Sequence, residues 1–593
     1  MCCTLHKSLI KLSQKKRRIA LRVFSDMSYP MFTVEALLEK HYPKISNHRW
    51  LSKPTCFFLR YILKEKEINN FSNKYPHLHG IDFVEQILEH FHFSYSTRDT
   101  EKENIPSEGK LVIIANNPIG SLDELAIIKL VSEVRRDLKV FASEKSMSIT
   151  PLHSLFLPMN IADKNTYQKQ QDNIQAHLQN EGTLIIFPAG EVSRLKPQGV
   201  RDSRWKSEFL QIAANAKAPI LPVFIDGKNS PLFYTLSMIY KPLATLLLVR
   251  EMFQQRTKHL PMRVGELIPY DSYNNISISV HQKVKLLQKH LYRLGQNRRV
   301  IFTTQKAIAP PEDRKALSKA IHQCEHLGNT SDGKDIYLYR YENSSPILRE
   351  IGRLREIAFR AVGEGTNRRR DIDQYDNEYY HLILWDKNDL EIIGAYRFGD
   401  AKLLTQEKNK LYSATLFEYS EKMQPYFEQG LELGRSFIQP KYWGKRSLDY
   451  LWYGIGAFLK HRPQYRYLFG PVSLSDALPS TAKDLLVCFY QLHFSSTEVL
   501  AISNTPYQVP QSIHGIFKGD NYKEDFSTLK SMMSNMGVAI PTLYKQYTEL
   551  FEDDGVHFLS FGIDADFNNC VDGLVITDLH KLKEKRRKRY MSE

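Results

Sequence analysis

Between residues 51 and 93 apolar positions recur at three- and four-residue spacing, in LSKPTCFFLRYILKEKEINNF and GIDFVEQILEHFHF, which is the period of an amphipathic helix. From Leu111 the texture changes to short uninterrupted apolar runs: LVIIA (111–115), LKVFA (138–142), TLIIF (183–187) and APILPVFI (218–225), separated by helical stretches such as ELAIIKLVSEVRRDL. That alternation predicts an α/β layer around a largely parallel sheet. A second pattern follows the proline-containing stretch AIAPPEDRK at 307–315, where IYLYRY, YHLILWD and LEIIGAYRFG read as successive strands of a largely antiparallel meander. The expected organisation is a helical lead-in over 1–70 offering a membrane-surface contact, an α/β domain over 71–300, a linker over 301–334, a mixed-sheet α/β domain over 335–580 and a basic tail over 581–593.

Length supports this division, because 593 residues exceed what one hydrophobic core organises. A net charge of +15 calls for an anionic partner: nucleic acid, an anionic lipid surface or an acidic carrier protein. No helix-turn-helix, zinc-finger or RNA-binding signature accompanies the charge, and the basic runs Lys15–Arg18 and Lys585–Arg589 lie near the chain ends, so nucleic acid ranks low and anionic headgroups rank high. The six cysteines are spaced for neither a metal clasp nor a dithiol, which reads as a reduced, cytosolic protein with no metal. Charges run throughout the first 24 residues, with no apolar core of signal-peptide length. The most apolar stretch, residues 231–249, is broken by Lys241 and Pro242 and suits the membrane interface better than a crossing.

Candidate chemistry in the first half sits at strand ends. The run 111–115 leads directly into NNPIGSLDELA, placing Asn117, Gly120 and Asp123 where active sites of α/β sheets gather. FPAGEVS (187–193) and GVRDSRWKSEF (199–209) add Gly190, Glu191, Arg194, Arg201, Arg204 and Lys206, a turn with cations suited to an anionic group, although loop punctuation explains each pattern equally well. In this order, and with MRVGELIPY at 262–270, residues 70–300 resemble the glycerolipid acyltransferases, the lysophosphatidic-acid acyltransferases and their relatives. The resemblance implies a histidine base that deprotonates an acceptor hydroxyl and an aspartate that orients it. Asp123 matches the acid, but Asn117 stands at the histidine position, and an amide is no base near pH 7. Either this half is impaired or another base takes over, His153 being the nearby candidate.

In the second half a helix with Arg355 and Phe359 precedes Glu364 and an acidic loop with Asp373 and Asp376, then two strands, the second carrying Arg397. LELGRSFIQPKYWGKRSLDYLWYGIGAFLK (431–460) comes next: a strand with Glu432, Arg435 and Phe437, a turn, and a helix with Ser447 as its expected cap. Residues 335–575 closely resemble the GNAT-type N-acyltransferases that make lyso-ornithine lipid, some of them labelled hemolysin-like, and more distantly the acyl-homoserine-lactone synthases. The resemblance implies transfer of a fatty acyl group, commonly 3-hydroxylated, from acyl carrier protein to the α-amine of an amino acid, with no bound cofactor. Glu432 is then the proton acceptor, Glu364, Asp373 and Asp376 are partners for a cationic side chain, and Arg397 or Arg435 holds the substrate carboxylate. Some of these acids and arginines are also expected to pair with each other. The single glycine of QPKYWGKRS, Gly444, is a poor fit for coenzyme A and favours the carrier protein.

Together the halves resemble the fused, bifunctional ornithine-lipid synthases, in which the C-terminal half forms the amide and the N-terminal half esterifies its 3-hydroxyl. That implies a peripheral enzyme on the cytoplasmic face of the inner membrane. The competing readings are acylation of glycine or another amino acid with an inactive first half, a lysophospholipid acyltransferase, and a non-catalytic scaffold.

Overall fold

The computed structural model describes residues 33–35, 49–62, 64–142, 149–158, 164–239, 241–342, 344–406, 410–565, 567 and 569–591. The run Lys15–Arg18 lies outside them. The chain divides into two units, Met1–Ala307 and Ile308–Glu593.

The first unit is built on seven strands in the order Ser94–Ser96, His259–Val264, Ile220–Ile225, Leu111–Ala115, Thr183–Ile186, Leu138–Ala142 and Phe156–Pro158. Every neighbouring pair is parallel except Ile220–Ile225 with His259–Val264. The uninterrupted apolar runs are a consequence of this position. All five residues of Leu111–Ala115 are buried, Leu111, Ile113 and Ala115 in one hydrophobic cluster and Val112 and Ile114 in another, so both faces of the strand are covered. The apolar stretch at 231–249 falls in two helices, Pro231–Ile239 and Lys241–Gln254, and among the described residues no helix is long and apolar enough to cross a membrane. The expected helical lead-in is helical over Arg49–Ile62 and Glu65–Lys74.

The second unit carries an eight-stranded sheet in the order Glu325–Asn329, Asp335–Arg340, Tyr380–Asp386, Glu391–Asp400, Gly430–Ile438, Tyr467–Leu474, Cys570–Asp578 and Val556–Asp564. One pair is parallel, Gly430–Ile438 with Tyr467–Leu474, and it is registered only from Gly430↔Tyr467 to Glu432↔Phe469. Registered pairing ends at Glu432, although Gly470 still lies against Leu433. The antiparallel meander is present as read, but the linker expected over 301–334 is not: Phe302 is buried in the first unit, and the helix Arg314–Ile321 buries Leu317 and Ile321 against Ile347 and Ile351 of the second. The tail also corrects its expectation, because Glu584–Met591 is a helix whose Tyr590 is buried in the core and whose Arg589 pairs with Asp449.

Gly470 sets the closeness of the parallel pair. A Cβ there would stand 2.0 Å from the Leu433 carbonyl oxygen, so no other residue fits without moving backbone. Gly470→Ala is expected to destabilise the second unit by roughly 1–3 kcal/mol, the usual cost of overpacking, read as a lower thermal midpoint.

Candidate active sites

In the first unit the loop after Leu111–Ala115 packs against the loop 187–193. Gly120, at φ +82°, allows this, since a Cβ there would lie 2.1 Å from Val192 Cγ2. Asp123 is fully buried and accepts from four backbone N–H groups: Ile119 (2.8 Å), Gly120 (3.2 Å), Ser121 (2.8 Å) and Glu124 (3.1 Å). Burial raises its pKa and these bonds oppose the rise. Asp123 therefore shapes the loop. The side chain that meets Asn117 is the next one, Glu124, whose Oε1 accepts from Asn117 Nδ2 at 2.7 Å.

Asn117 is itself buried and pinned. Its N–H donates to Asp202 Oδ1 (3.3 Å) and its carbonyl accepts from Ser193 N (2.7 Å) and Oγ (3.0 Å). Asp202, buried and raised in pKa by that burial, also takes Trp205 Nε1 at 2.8 Å. Gly190 closes a turn onto the Phe187 carbonyl (3.0 Å), and Glu191 lies 4.0 Å from Arg194. Arg194 Nε and Nη1 and Arg201 Nε are buried donors without a hydrogen-bond partner among the described residues, while the guanidinium groups lie over Phe233 (5.4 Å) and Tyr292 (4.5 Å). Such leftover donors suit an anion. Arg204 is exposed beside His281 (3.1 Å), and Lys206 is exposed near Gly190. His153 is exposed on the 3-10 helix Thr150–Leu155, and Leu152, its neighbour, turns inward.

In the second unit the expected binding residues form an ion network. Asp376 is fully buried and receives Arg355 through Nη1 (3.0 Å) and Nη2 (2.8 Å), and Arg397 through Nη1 (3.0 Å). Arg355 also reaches Asp371 at 2.9 Å, and Arg397 reaches Asp373 at 2.7 Å. Burial alone would raise the Asp376 carboxyl, but Arg355 and Arg397 hold it well below the usual carboxylate range. Asp373 caps the 3-10 helix Gln374–Asn377, and Asp376 returns the capping bond. Arg355, Asp376 and Arg397 thus pair with one another, and Arg397 keeps Nε and Nη2 as buried donors without a hydrogen-bond partner among the described residues. Phe359 and Phe437 are likewise buried in a hydrophobic cluster rather than lining a site.

Glu432 stands at the last registered pair of the two parallel strands, but its carboxylate is enclosed. It accepts from Ser413 N (2.7 Å), Tyr412 N (3.2 Å) and the Tyr379 hydroxyl, and is 1% exposed. Burial raises its pKa against those bonds. It holds the backbone of Tyr412, whose ring lies over Arg397 (5.3 Å) and Arg435 (4.9 Å).

Arg435 differs from its neighbours in its backbone and in the length of its ion pairs. It lies at a bulge, with φ +52°, where pairing with the Glu391–Asp400 strand shifts register, and a bulge re-aims the side chain it carries. Its nearest carboxylates, Asp373 (3.6 Å) and Asp371 (3.9 Å), are beyond hydrogen-bond distance, and its Nε is buried without a hydrogen-bond partner among the described residues. Its guanidinium lies over the rings of both Tyr412 and Phe567 (4.6 Å). Glu364 and Asp572 interact with the same guanidinium. Burial and Asp572 push Glu364 up to about 7, and burial, opposed by Ser473 and reinforced by Asp564, pushes Asp572 up to about 7. Two buried carboxyls raised toward neutrality in the field of one arginine are candidates for acid–base work. Asp564 and Asp572 escape a reading of the sequence, the one available signal being acids inside the apolar strand pattern HFLSFGIDADFNNCVDGLVITDL.

The turn after Gly430–Ile438 exposes Trp443, Lys445 and Arg446 before the helix Ser447–Lys460. Ser447 is the first helical residue and buried, and the capping position belongs to Arg446 with no side-chain cap. Among the described residues no cluster of His, Cys, Asp or Glu could hold a metal.

Residues 36–299 match the family described as acyltransferase, and residues 354–453 the acetyltransferase (GNAT) domain family. Over 302 residues, 48% of its length, the chain is 30% identical to a glycine N(alpha)-acyltransferase of Phocaeicola vulgatus, covering 92% of that protein. It is 29% identical over 257 residues to a lyso-glycine lipid O-acyltransferase of Bacteroides thetaiotaomicron, covering 42% of this chain and 93% of that one. Over 118 residues it is 35% identical to an L-ornithine N(alpha)-acyltransferase of Agrobacterium fabrum, covering 18% of this chain and 39% of the relative. The chain belongs to the family of the first of these relatives, and it joins an N-terminal acyltransferase domain to a C-terminal GNAT domain in one acyltransferase enzyme.

Proposed function

We propose that the second unit acylates the α-amine of glycine and that the first unit then esterifies the hydroxyl of the resulting 3-hydroxyacyl amide, giving a two-chain aminolipid. The observation that carries the first step is Arg435, the arginine of the network with weak ion-pair geometry, whose charge acts on Glu364 and Asp572. Arg435 binds the amino-acid carboxylate, and a carboxylate titrating near 7 takes the ammonium proton so that the amine attacks the thioester. Ornithine is the rival acceptor. Glycine is favoured because Asp373 and Asp376, which would meet a second ammonium, are held by Arg397 and Arg355, and because the glycine relative is covered over 92% of its length against 39% for the ornithine relative.

The donor in this reading is an acyl thioester on acyl carrier protein. Registered pairing of the two strands ends short of the turn, and exposed Lys445 and Arg446 at the N-terminus of Ser447–Lys460 suit an acidic carrier and the phosphate of its prosthetic arm. Contact with an anionic membrane surface is assigned to Arg49–Ile62, where Phe57 (77% exposed), Phe58 (58%) and Tyr61 (74%) share a face near Lys53. Lipid extracts of cells expressing the full chain test the acceptor: the new lipid is expected to carry a glycine headgroup by mass spectrometry, and an ornithine headgroup would overturn that choice.

A further inference from the structure

Ester formation in the first unit needs a proton acceptor that Asn117 does not supply, and the identity of that acceptor has meaning only if the first unit is the esterifying one. We propose that Glu124, on the wall of an apolar cavity and held by the Asn117 amide, takes the proton from the acceptor hydroxyl. The cavity has a volume of about 490 Å³ and its apolar wall includes Phe71, Phe83, Leu125, Ile128 and Met252. That is within the roughly 300–1,000 Å³ of ligand pockets, and the lining suits a hydrocarbon chain. Gly120, Ser121 and Glu124 contribute polar wall from the loop and the first turn of the helix Leu122–Ser132. Glu124 thus stands where an apolar compartment meets the strand-end loop.

The other charged or titratable groups around it are few. Asp123 precedes it on the same helix, and Glu67 and His90 line the same cavity. The His90 ring lies against Phe71 (5.0 Å) with Nε2 3.5 Å from Arg256, and burial and that arginine lower its pKa. Burial and Asp123 push the Glu124 carboxyl up to about 7, against the Asn117 hydrogen bond, which favours the ionised form. A base of that strength is half ionised at neutral pH and still accepts a proton readily. Asn117, pinned by Ser193 and Asp202, serves as its positioning residue, and its buried Oδ1 has no hydrogen-bond partner among the described residues.

The step balances without a cofactor. The hydroxyl oxygen attacks the thioester carbonyl carbon as its proton passes to the Glu124 carboxylate. The C–O bond forms, the C–S bond breaks, and Glu124 returns the proton to the departing thiolate, leaving ester and thiol.

The test uses the full chain, a supplied N-(3-hydroxyacyl)glycine and an acyl thioester on carrier protein, with ester and amide formation read separately. Glu124→Gln is expected to lower ester formation by about 10²-fold or more while amide formation, in the other unit, reports an intact protein. Asn117→Ala is expected to move the acid limb of the ester pH profile to higher pH, a change that simple loss of packing does not produce. Undiminished ester from Glu124→Gln, or loss of ester in His90→Gln with retention in Glu124→Gln, overturns the assignment. Wild type that forms no ester from the supplied amide overturns the esterification reading as well.

Discussion

Asp376→Asn is expected to destabilise the second unit by roughly 3–5 kcal/mol, the cost of leaving buried charge uncompensated. Asp376 is the shared counter-ion of two guanidinium groups, each 1% exposed, and asparagine keeps the shape of the side chain while removing its charge. Arg355 retains Asp371 and Arg397 retains Asp373, so the network loses its centre and keeps its edges. Unfolding followed through Trp385 and Trp452, both buried in the second unit, is expected to move to a lower midpoint. Trp205, buried in the first unit, provides the internal control. An unshifted second-unit transition would mean that Asp376 does not hold these arginines in solution.

Glu364→Gln and Asp572→Asn are each expected to reduce amide formation by about 10²-fold or more, the usual contribution of a positioned acid–base group. The shifts set the sign of the pH dependence. Each carboxyl has a pKa raised to about 7, so it is protonated and idle at pH 5 and ionised above 8. Amide formation therefore rises with pH through about 7 in wild type, and this limb is expected to flatten in the variant that removes the proton acceptor. Equal retention of the limb in both variants would place the base elsewhere. Because the two acids repel each other, the neutral substitution at one lowers the pKa of the other, so their midpoints are expected to be coupled.

Much of the scaffold is legible in the sequence because burial and periodicity are local. A strand covered on both faces, such as Leu111–Ala115, must be apolar at every position, and the meander Asp335–Asp400 shows its pairing through closely spaced strands. The break at AIAPPEDRK is legible, the units dividing at Ala307 and Ile308, but a linker as long as 301–334 misleads because Phe302 belongs to the first core and Leu317 and Ile321 to the second. Charges are legible as types and not as partners. Arg355 sits on a helix whose polar positions suggest a solvated face, yet Arg353, Arg355 and Glu356 are all buried, each answered by an opposite charge or a hydrogen bond. No local pattern says that Asp376 answers Arg355 while Asp572, far along the chain from Glu364, shares its arginine. Glu124 is hidden because its neighbour Asp123 matches a known motif. The contact with Asn117 forms only once the loop is folded.

The most direct test of an amide-forming acyltransferase is the reaction itself. Full-length protein is incubated with a 3-hydroxyacyl thioester on acyl carrier protein and an equimolar mixture of isotopically distinguishable glycine and ornithine, and the products are read by mass spectrometry. An N-(3-hydroxyacyl) amino acid carrying the glycine label, lost in Arg435→Met, is the result that supports the proposed chemistry. Thioester consumed only to free acid and thiol, with no label entering an amide, would contradict it.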